Sequence, residues 1–292
     1  MKKISLVSLI LLLFLTLNNI ISPYNIPTNQ LYEYDVKKAE VYVKLDDTSY
    51  SGKGFEISNI NFNQRTTIQA FVNSLGGDNV LWTLTSGEAS LAKLADWNLV
   101  DESSLSSNIL NPFSIIQNFL SNPMLTTVGL GLIFYPFLGT NRTIDFFKDL
   151  KNQTHYQYTF FIPKLDNVQY EAFYEEIDQL VIFESLVSGG LNQNLTSPEF
   201  NISFKHHSQL VYDISIGLLY GSRFLSEGSG VFENKTVEFS FESHIELKNY
   251  NLPKLVLSND NFLVRWVLIG SSGSIVVIVI TVFFVRYKKR IP

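Results

Sequence analysis

A charge-free stretch near the C-terminus, from Trp266 to Val285, restricts what this chain can fold into more than any other feature. A helix of about twenty residues, rising about 1.5 Å per residue, spans the hydrocarbon core of a bilayer. Four basic residues follow it at once: Arg286, Lys288, Lys289 and Arg290. Because basic residues favour the cytoplasmic side, the pattern predicts a transmembrane helix over 262–285 and a cytoplasmic tail over 286–292, with Trp266 at the outer interface.

The N-terminus carries a second apolar segment. Lys2 and Lys3 precede an apolar run from Ile4 to Leu17, which is the arrangement of a secretory signal. Since Pro23 is unfavourable directly after a cleavage point, residues 1–22 are either a cleaved signal peptide or an uncleaved signal anchor. We expect an exported type I protein of the cell membrane that crosses once, with its main domain outside and its C-terminus in the cytoplasm.

Charge is distributed unevenly between the two ends and the middle of the chain. Of the 22 Lys and Arg residues, seven lie in the terminal segments, whereas all 27 Asp and Glu residues lie between them. The middle therefore has fifteen basic against 27 acidic residues, a net charge of −12. Such a surface repels phosphate backbones, so we expect no nucleic-acid partner. The expected partners are the lipid bilayer and an extracellular protein, glycan or lipid ligand.

Cysteine is absent from the chain. Its absence excludes disulfides, thiolate metal sites and cysteine nucleophiles. Because many exported eukaryotic domains of this size use disulfides, the composition favours a prokaryotic exported protein.

Alternating apolar residues recur through the middle of the chain and predict β-strands. They occur over residues 31–100 and again through much of 101–260, the N-terminal and C-terminal β-rich parts of one outer domain. Turns are predicted between the strands, including Ser51–Gly54, Asp46–Asp47 and Gly228–Gly230. The short strand spacing predicts a mainly β fold of the α+β type, an antiparallel sandwich or curved sheet.

Helical insertions are predicted within this sheet. Apolar residues in the segment 86–125 have helical spacing, among them Leu91 and Leu94. The best helix candidate is 170–186, where four apolar residues share one face: Phe173, Ile177, Leu180 and Val181. A further apolar stretch, 124–138, is short for a membrane span, so we expect it to be buried core or a membrane-proximal loop.

The four histidines form no recognisable metal or catalytic motif: His155, His206, His207 and His244. His206 and His207 are neighbours on a predicted strand, so they point to opposite faces and cannot bind one ion together. The sequence also has no nucleophile elbow, glycine-rich nucleotide turn or phosphate loop. We therefore predict no enzyme, no catalytic or metal-binding residue and no cofactor. A surface hydrolase stays open as an alternative if one histidine lies beside a carboxylate and a hydroxyl.

Five Asn-X-Ser/Thr sequons are present, at Asn141, Asn152, Asn194, Asn201 and Asn234. All lie in the predicted outer domain, where such asparagines are candidates for glycosylation.

The segment 210–219 carries a family resemblance. Together with the Tyr-Glu-Tyr-Asp-Val, Gly-Lys-Gly-Phe and Val-Leu-Trp segments near the N-terminus, it resembles the choice-of-anchor S surface proteins of archaea, in particular those of Asgard archaea. Four residues match the family pattern: Tyr212, Asp213, Gly217 and Leu219. Ile216 departs from it, since a threonine usually precedes the glycine. The resemblance covers about residues 31–250 and implies an exported, C-terminally anchored protein; it assigns no catalytic residue to this chain.

Two non-enzymatic functions remain open at this point. The first is a cell-surface protein with a binding or structural role. The second is a membrane-anchored carrier of lipids or other hydrophobic molecules, suggested by the apolar stretch from Ile115 to Leu138. A closed, packed core around 124–138 would favour the first, and an open apolar cavity there would favour the second.

Overall fold

The computed structural model describes residues 27–57, 60–76, 79–86, 89–95, 128–129, 134, 136–138, 141–153, 164–193 and 200–257. The chain divides into two compact units, Met1–Pro253 and Lys254–Pro292. All strands and the helix described below belong to the first unit. Of the second unit the structure describes residues 254–257, which are irregular.

The described part of the chain forms thirteen strands and one helix. The strands are β1 (Gln30–Leu45), β2 (Thr48–Lys53), β3 (Phe55–Ile57), β4 (Ile60–Phe62), β5 (Thr67–Gly76), β6 (Asn79–Ser86), β7 (Ala89–Ala95), β8 (Val128–Gly129), β9 (Lys164–Ile177), β10 (Leu180–Gln193), β11 (Phe200–Asp213), β12 (Leu219–Phe232) and β13 (Lys235–Leu247). The helix is α1 (Asn141–Asn152).

Ten of these strands form one large sheet in the order β7-β6-β5-β1-β13-β12-β11-β10-β9, with β2 also paired to β1. Its described pairings are all antiparallel. A small second sheet has the order β4-β3-β8. The prediction of a mainly β, antiparallel fold is confirmed.

Strand β1 joins the two β-rich parts of the chain. One of its edges pairs with β13, from Tyr34 opposite Leu247 to Leu45 opposite Val237. Its other edge is shared, because the first six residues pair with β5 and the last six pair with β2. The N-terminal and C-terminal β-rich parts therefore contribute to the same sheet.

Alternation of buried and exposed residues explains why β1 is a strand. Tyr32, Tyr34 and Val36 are buried, and the buried series resumes in the opposite phase at Ala39. The pairing register shifts between Val36 and Lys38, which marks a β-bulge. The extra residue returns the following apolar side chains to the buried face.

One face of the large sheet, here called the inner face, carries the main core. Helix α1 packs on it through Phe147, whose ring stacks on Phe183 at 4.6 Å between centroids. Phe134 contacts Tyr34 edge-on at 4.9 Å. Like Phe134, Phe137 and Leu138 are almost completely buried. The described residues of the apolar stretch 124–138 that follow its short strand β8 are thus packed core.

The antiparallel register gives the sheet two distinct ends. Gln30 and Leu247 lie at one end, here called the chain end, because β1 begins where β13 finishes. The turns at Asp46–Asp47 and Glu233–Asn234 lie at the opposite end, here called the hairpin end. At about 3.3 Å per residue, the thirteen residues of β13 separate the two ends by about 40 Å.

The predicted helix over 170–186 is wrong, because this segment forms β9, a turn at Asp178–Gln179 and β10. Residues 181–187 are buried on both faces of the sheet, so the alternation that identifies a strand is lost there. Leu91 and Leu94, also predicted to be helical, lie in β7.

Two predicted turns are also wrong. Of the predicted turn Ser51–Gly54, the first three residues lie within β2 and Gly54 separates β2 from β3, whereas the turn that precedes β2 is the predicted pair Asp46–Asp47. Gly228–Gly230 lies inside β12, where the ring of Phe239 occupies the space that a Cβ atom on Gly228 would need. Glycine therefore marks a close contact between neighbouring strands here, not a reversal of the chain.

None of the helices within the described ranges is long and apolar enough to cross a bilayer. The predicted segments 1–22 and 262–285, with Trp266, lie outside those ranges, and so do the four basic residues that follow: Arg286, Lys288, Lys289 and Arg290.

Candidate functional site

The face opposite the main core, here called the outer face, buries several ionisable and polar side chains. Glu184 on β10 is fully buried, and His207 on β11 is only 4% exposed. Gln209 and Glu246 are also buried. Because a buried charge is costly unless it is paired, these residues are the first candidates for a functional or structural site.

His207 and Glu184 form a close pair. The Nε2 atom of His207 lies 2.7 Å from Oε1 of Glu184. Glu184 is directly opposite Gln209 in the register, so His207 reaches it diagonally from the same face of the next strand. The imidazole of His207 provides a partner for the Glu184 carboxylate, and this contact offsets the free-energy cost of removing the carboxylate from water.

Glu246 fastens the chain that follows β13 to the outer face. Its Oε1 atom accepts a hydrogen bond from the backbone N–H of Leu252 at 2.8 Å and lies 2.7 Å from Nε2 of His244. Residues 248–253, here called the strap, thus return across the sheet after Leu247.

Apolar contacts hold the strap in the same place. The side chain of Leu252 packs against Ile182 and Val211. A Cβ atom on Gly221 would lie 2.9 Å from the Leu252 side chain, so glycine makes this approach possible. The amide of Gln209 donates to the carbonyl oxygen of Pro253 at 3.3 Å.

The environment of His244 favours its neutral form. Burial lowers the pKa of this imidazole below its ordinary value of 6.5, and the positive charge of Arg223 lowers it further. The hydrogen bond with Glu246 opposes both effects without overcoming them. The contact between His244 and Glu246 is therefore a hydrogen bond to a largely neutral ring near pH 7.

His206 belongs to the inner face. Its Nδ1 atom lies 2.6 Å from the hydroxyl of Ser226, and both residues are buried. The buried hydroxyl oxygens of Ser185 and Ser208 lie 2.7 Å apart on the same face. The prediction that His206 and His207 point to opposite faces is confirmed. His206 contacts a hydroxyl on the inner face, and His207 contacts a carboxylate on the outer face. Because the two contacts lie on opposite sides of the sheet, they do not combine into a triad.

The segment that carries the family resemblance forms the turn between β11 and β12. The Oδ1 atom of Asp213 accepts hydrogen bonds from the backbone N–H of Ser215 at 2.8 Å and from the Ser215 hydroxyl at 2.5 Å. Gly217 has a φ of 68°, which glycine adopts without strain. Its carbonyl oxygen accepts from Leu138, so the turn also binds the segment that covers the core.

Two other residues of this pattern are core residues. Tyr212 is fully buried and lies 6.3 Å from the ring of Phe147. The carbonyl oxygen of Leu219 accepts a hydrogen bond from the Tyr34 hydroxyl at 2.9 Å. The pattern is thus explained by the packing of a turn.

The sequons occupy different parts of the sheet domain. Asn201 is exposed near the start of β11, and Asn234 is exposed in the turn at the hairpin end. Asn141 and Asn152 are the first and last residues of α1. Asn194 and the histidine His155 lie outside the described residues.

Across the described ranges, no group of three His, Asp or Glu side chains is arranged to hold a metal ion. Comparison with models of protein families, with curated proteins and with solved structures found no match to this chain. Function is therefore inferred from sequence and geometry alone.

Sequence reasoning missed Glu184, Gln209 and Glu246. A signal was present for the first, because Glu184 interrupts the apolar run from Leu180 to Leu186. A charged residue inside an apolar run indicates either a turn or a paired buried charge.

Proposed function

We propose that this chain is an exported, single-pass membrane protein whose sheet domain lies outside the cell and has a binding or structural role. The observation that carries the proposal is the charge-free stretch Trp266–Val285 with the basic cluster directly behind it. The acidic middle of the chain and the signal-like N-terminus support the same location. The resemblance to choice-of-anchor S surface proteins points the same way.

The structure of the sheet domain supports a binding or structural role over a carrier. Phe134, Phe137 and Leu138 come from the apolar stretch that would line a carrier's cavity, yet each is packed into the core. His206 and His207 lie on opposite faces of the sheet, and each contacts a buried polar side chain, which is consistent with a structural use of both.

Single-cysteine labelling tests the location, because the chain has no cysteine of its own. Glu171 is exposed on β9, and Lys288 lies in the predicted tail. In intact cells a membrane-impermeant maleimide should label Glu171→Cys, whereas Lys288→Cys should react only after permeabilisation. The unsubstituted chain is the matched blank. Labelling of Lys288→Cys in intact cells, or failure of Glu171→Cys to react there, would rule out the proposed topology.

A further inference from the structure

We propose that Asn201 and Asn234 carry N-linked glycans, and that these glycans cover the exposed side chain of Val231 at the hairpin end of the sheet. The inference rests on the outer location proposed above, because such glycans are typical of the surface of exported proteins.

Asn201 lies on the outer face of β11. The residue is exposed, whereas the next residue, Ile202, is buried on the inner face. Asn201 is directly opposite Val231 of β12 in the register. Because Asn201 is exposed, its side-chain amide is accessible to a modifying enzyme.

Asn234 lies in the two-residue turn that joins β12 to β13. Glu233 and Asn234 both have positive φ, 49° and 62°, as a tight hairpin turn requires. Asp46 fixes the rest of this sequon, since its Oδ1 atom accepts from the backbone N–H of Thr236 at 2.8 Å and from the Thr236 hydroxyl at 3.0 Å. The exposed Asn234 side chain therefore projects from a rigid turn.

Val231 lies between the two sequons in the sheet. It is 44% exposed, which makes it one of the more exposed large apolar residues of the described chain. It pairs with Asn201 on one side and with Thr236 on the other. A glycan on either asparagine lies within reach of this apolar side chain and would reduce its contact with water and with other chains.

The sequon at the start of α1 differs from these two in the exposure of its third residue. Thr143, its third residue, is only 2% exposed and belongs to the packed helix. The hairpin end is also the end opposite Gln30 and Leu247, where the chain enters and leaves the sheet.

The modification is a group transfer from a lipid-linked oligosaccharide. The side-chain amide nitrogen of Asn201 or Asn234 attacks the anomeric carbon of the donor sugar and forms a nitrogen–carbon bond. The bond from that carbon to the diphosphate oxygen breaks, and the lipid diphosphate leaves with the electron pair. The amide loses one proton to a base of the transferase.

Mass spectrometry of the full-length chain, purified from the membranes of an exporting host, tests the modification. Peptides containing Asn201 and Asn234 should each carry a glycan on more than half of the molecules. Asn201→Gln should remove one glycan, and Asn234→Gly should remove the other while keeping the positive φ of the turn. Ser203→Thr is the matched control, because it alters the first sequon but preserves its acceptor pattern.

Two failures are distinguishable in the same preparation. Unmodified asparagines in chains whose Glu171→Cys variant reacts from outside would overturn the glycan proposal alone. Unmodified asparagines in chains that do not react from outside would overturn it together with the proposed function.

The covering of Val231 has its own test. Loss of the first glycan in Asn201→Gln should at least double the aggregation rate of the purified protein measured by light scattering. Adding Val231→Ser should restore the original rate, because it removes the exposed apolar group. An increase that Val231→Ser leaves unchanged would contradict the proposed covering.

Discussion

One carboxylate oxygen of Glu246 contacts both the backbone N–H of Leu252 and the ring of His244. Replacing Glu246 should therefore destabilise the strap through the loss of both contacts. Glu246→Ala leaves the buried N–H of Leu252 without its acceptor and His244 without its partner. Because an unsatisfied buried donor costs about 1–3 kcal/mol, we expect the free energy of unfolding to fall by about 2 kcal/mol. Urea denaturation of the purified protein measures the change.

Glu238 provides the matched control for this substitution. It lies on the same strand and the same face but is exposed. Glu238→Ala should change the free energy of unfolding by less than about 0.5 kcal/mol. Equal effects of the two substitutions would show that the hydrogen bonds of Glu246 do not stabilise the fold.

His244 should make stability depend on pH. Its pKa is lowered in the folded protein by burial and by Arg223, so the folded state disfavours its protonation. The stability that the neutral ring contributes is present above the ordinary pKa of 6.5 and is lost as the pH falls below that value towards the folded pKa. Unfolding should therefore need less urea at pH 5.5 than at pH 7.5.

The variant His244→Gln isolates this contribution, because glutamine can still donate to Glu246 but does not titrate. The difference in unfolding free energy between pH 7.5 and pH 5.5 should be smaller in the variant than in the original protein. Neighbouring charges on the same face, Lys38, Arg223 and Glu242, are present in both. Identical differences would exclude His244 as the titrating group.

At the level of single elements, the central glycines of β12 are packing positions. A Cβ atom on Gly228 would lie 2.6 Å from the Phe239 ring and 2.6 Å from the carbonyl oxygen of Ser203. Since backbone must move to relieve the second contact, Gly228→Ala should lower the free energy of unfolding by about 2 kcal/mol. The midpoint of urea unfolding measures the loss.

Ser229→Ala is the corresponding control. Ser229 is the next residue of the same strand and is exposed. Its substitution should leave the unfolding midpoint nearly unchanged. A tolerated Gly228→Ala would show that β12 can move away from Phe239 at little cost.

The strands that could be predicted from the sequence are those with one face buried. In β1 the alternation of Tyr32, Tyr34 and Val36 identifies the strand directly. In β10 both faces are buried, so the alternation that identifies a strand is missing, and Glu184 inside the apolar run indicates a paired charge without identifying His207 as its partner. The spacing of Phe173, Ile177 and Leu180 resembles a helix only because it runs across the β9–β10 turn.

At the level of the whole molecule, the pairing of β1 with β13 means that the large sheet cannot be completed until the C-terminal strand β13 is available. Leu45 pairs with Val237, so the sheet joins segments far apart in sequence. A chain that ends after Phe232 lacks β13 and leaves one edge of β1 without its partner. We expect such a chain to be digested rapidly by protease.

A chain that ends after Leu257 is the control, since it also lacks the predicted anchor but retains β13 and the strap. It should resist the same protease treatment for at least ten times as long. Equal resistance of the two chains would show that the β-rich parts fold without joining.

This long-range pairing also limits what the sequence could predict about the candidate site. That His206 and His207 face opposite sides follows from strand geometry alone. The contacts of His207 with Glu184 and of Glu246 with Leu252 depend on strand order and on the return of the strap. Neither is encoded in a local pattern of residues.

The position of β13 has a mechanical consequence. This strand lies between β1 and β12 along nearly its whole length, and the hydrogen bonds of antiparallel strands run perpendicular to the strand axis. Tension applied between the Glu233–Asn234 turn and Leu247 acts along that axis, so it loads both rows of bonds in shear and at the same time. A molecule pulled in this direction yields only when many bonds break together, whereas tension across the strands would peel them apart one by one.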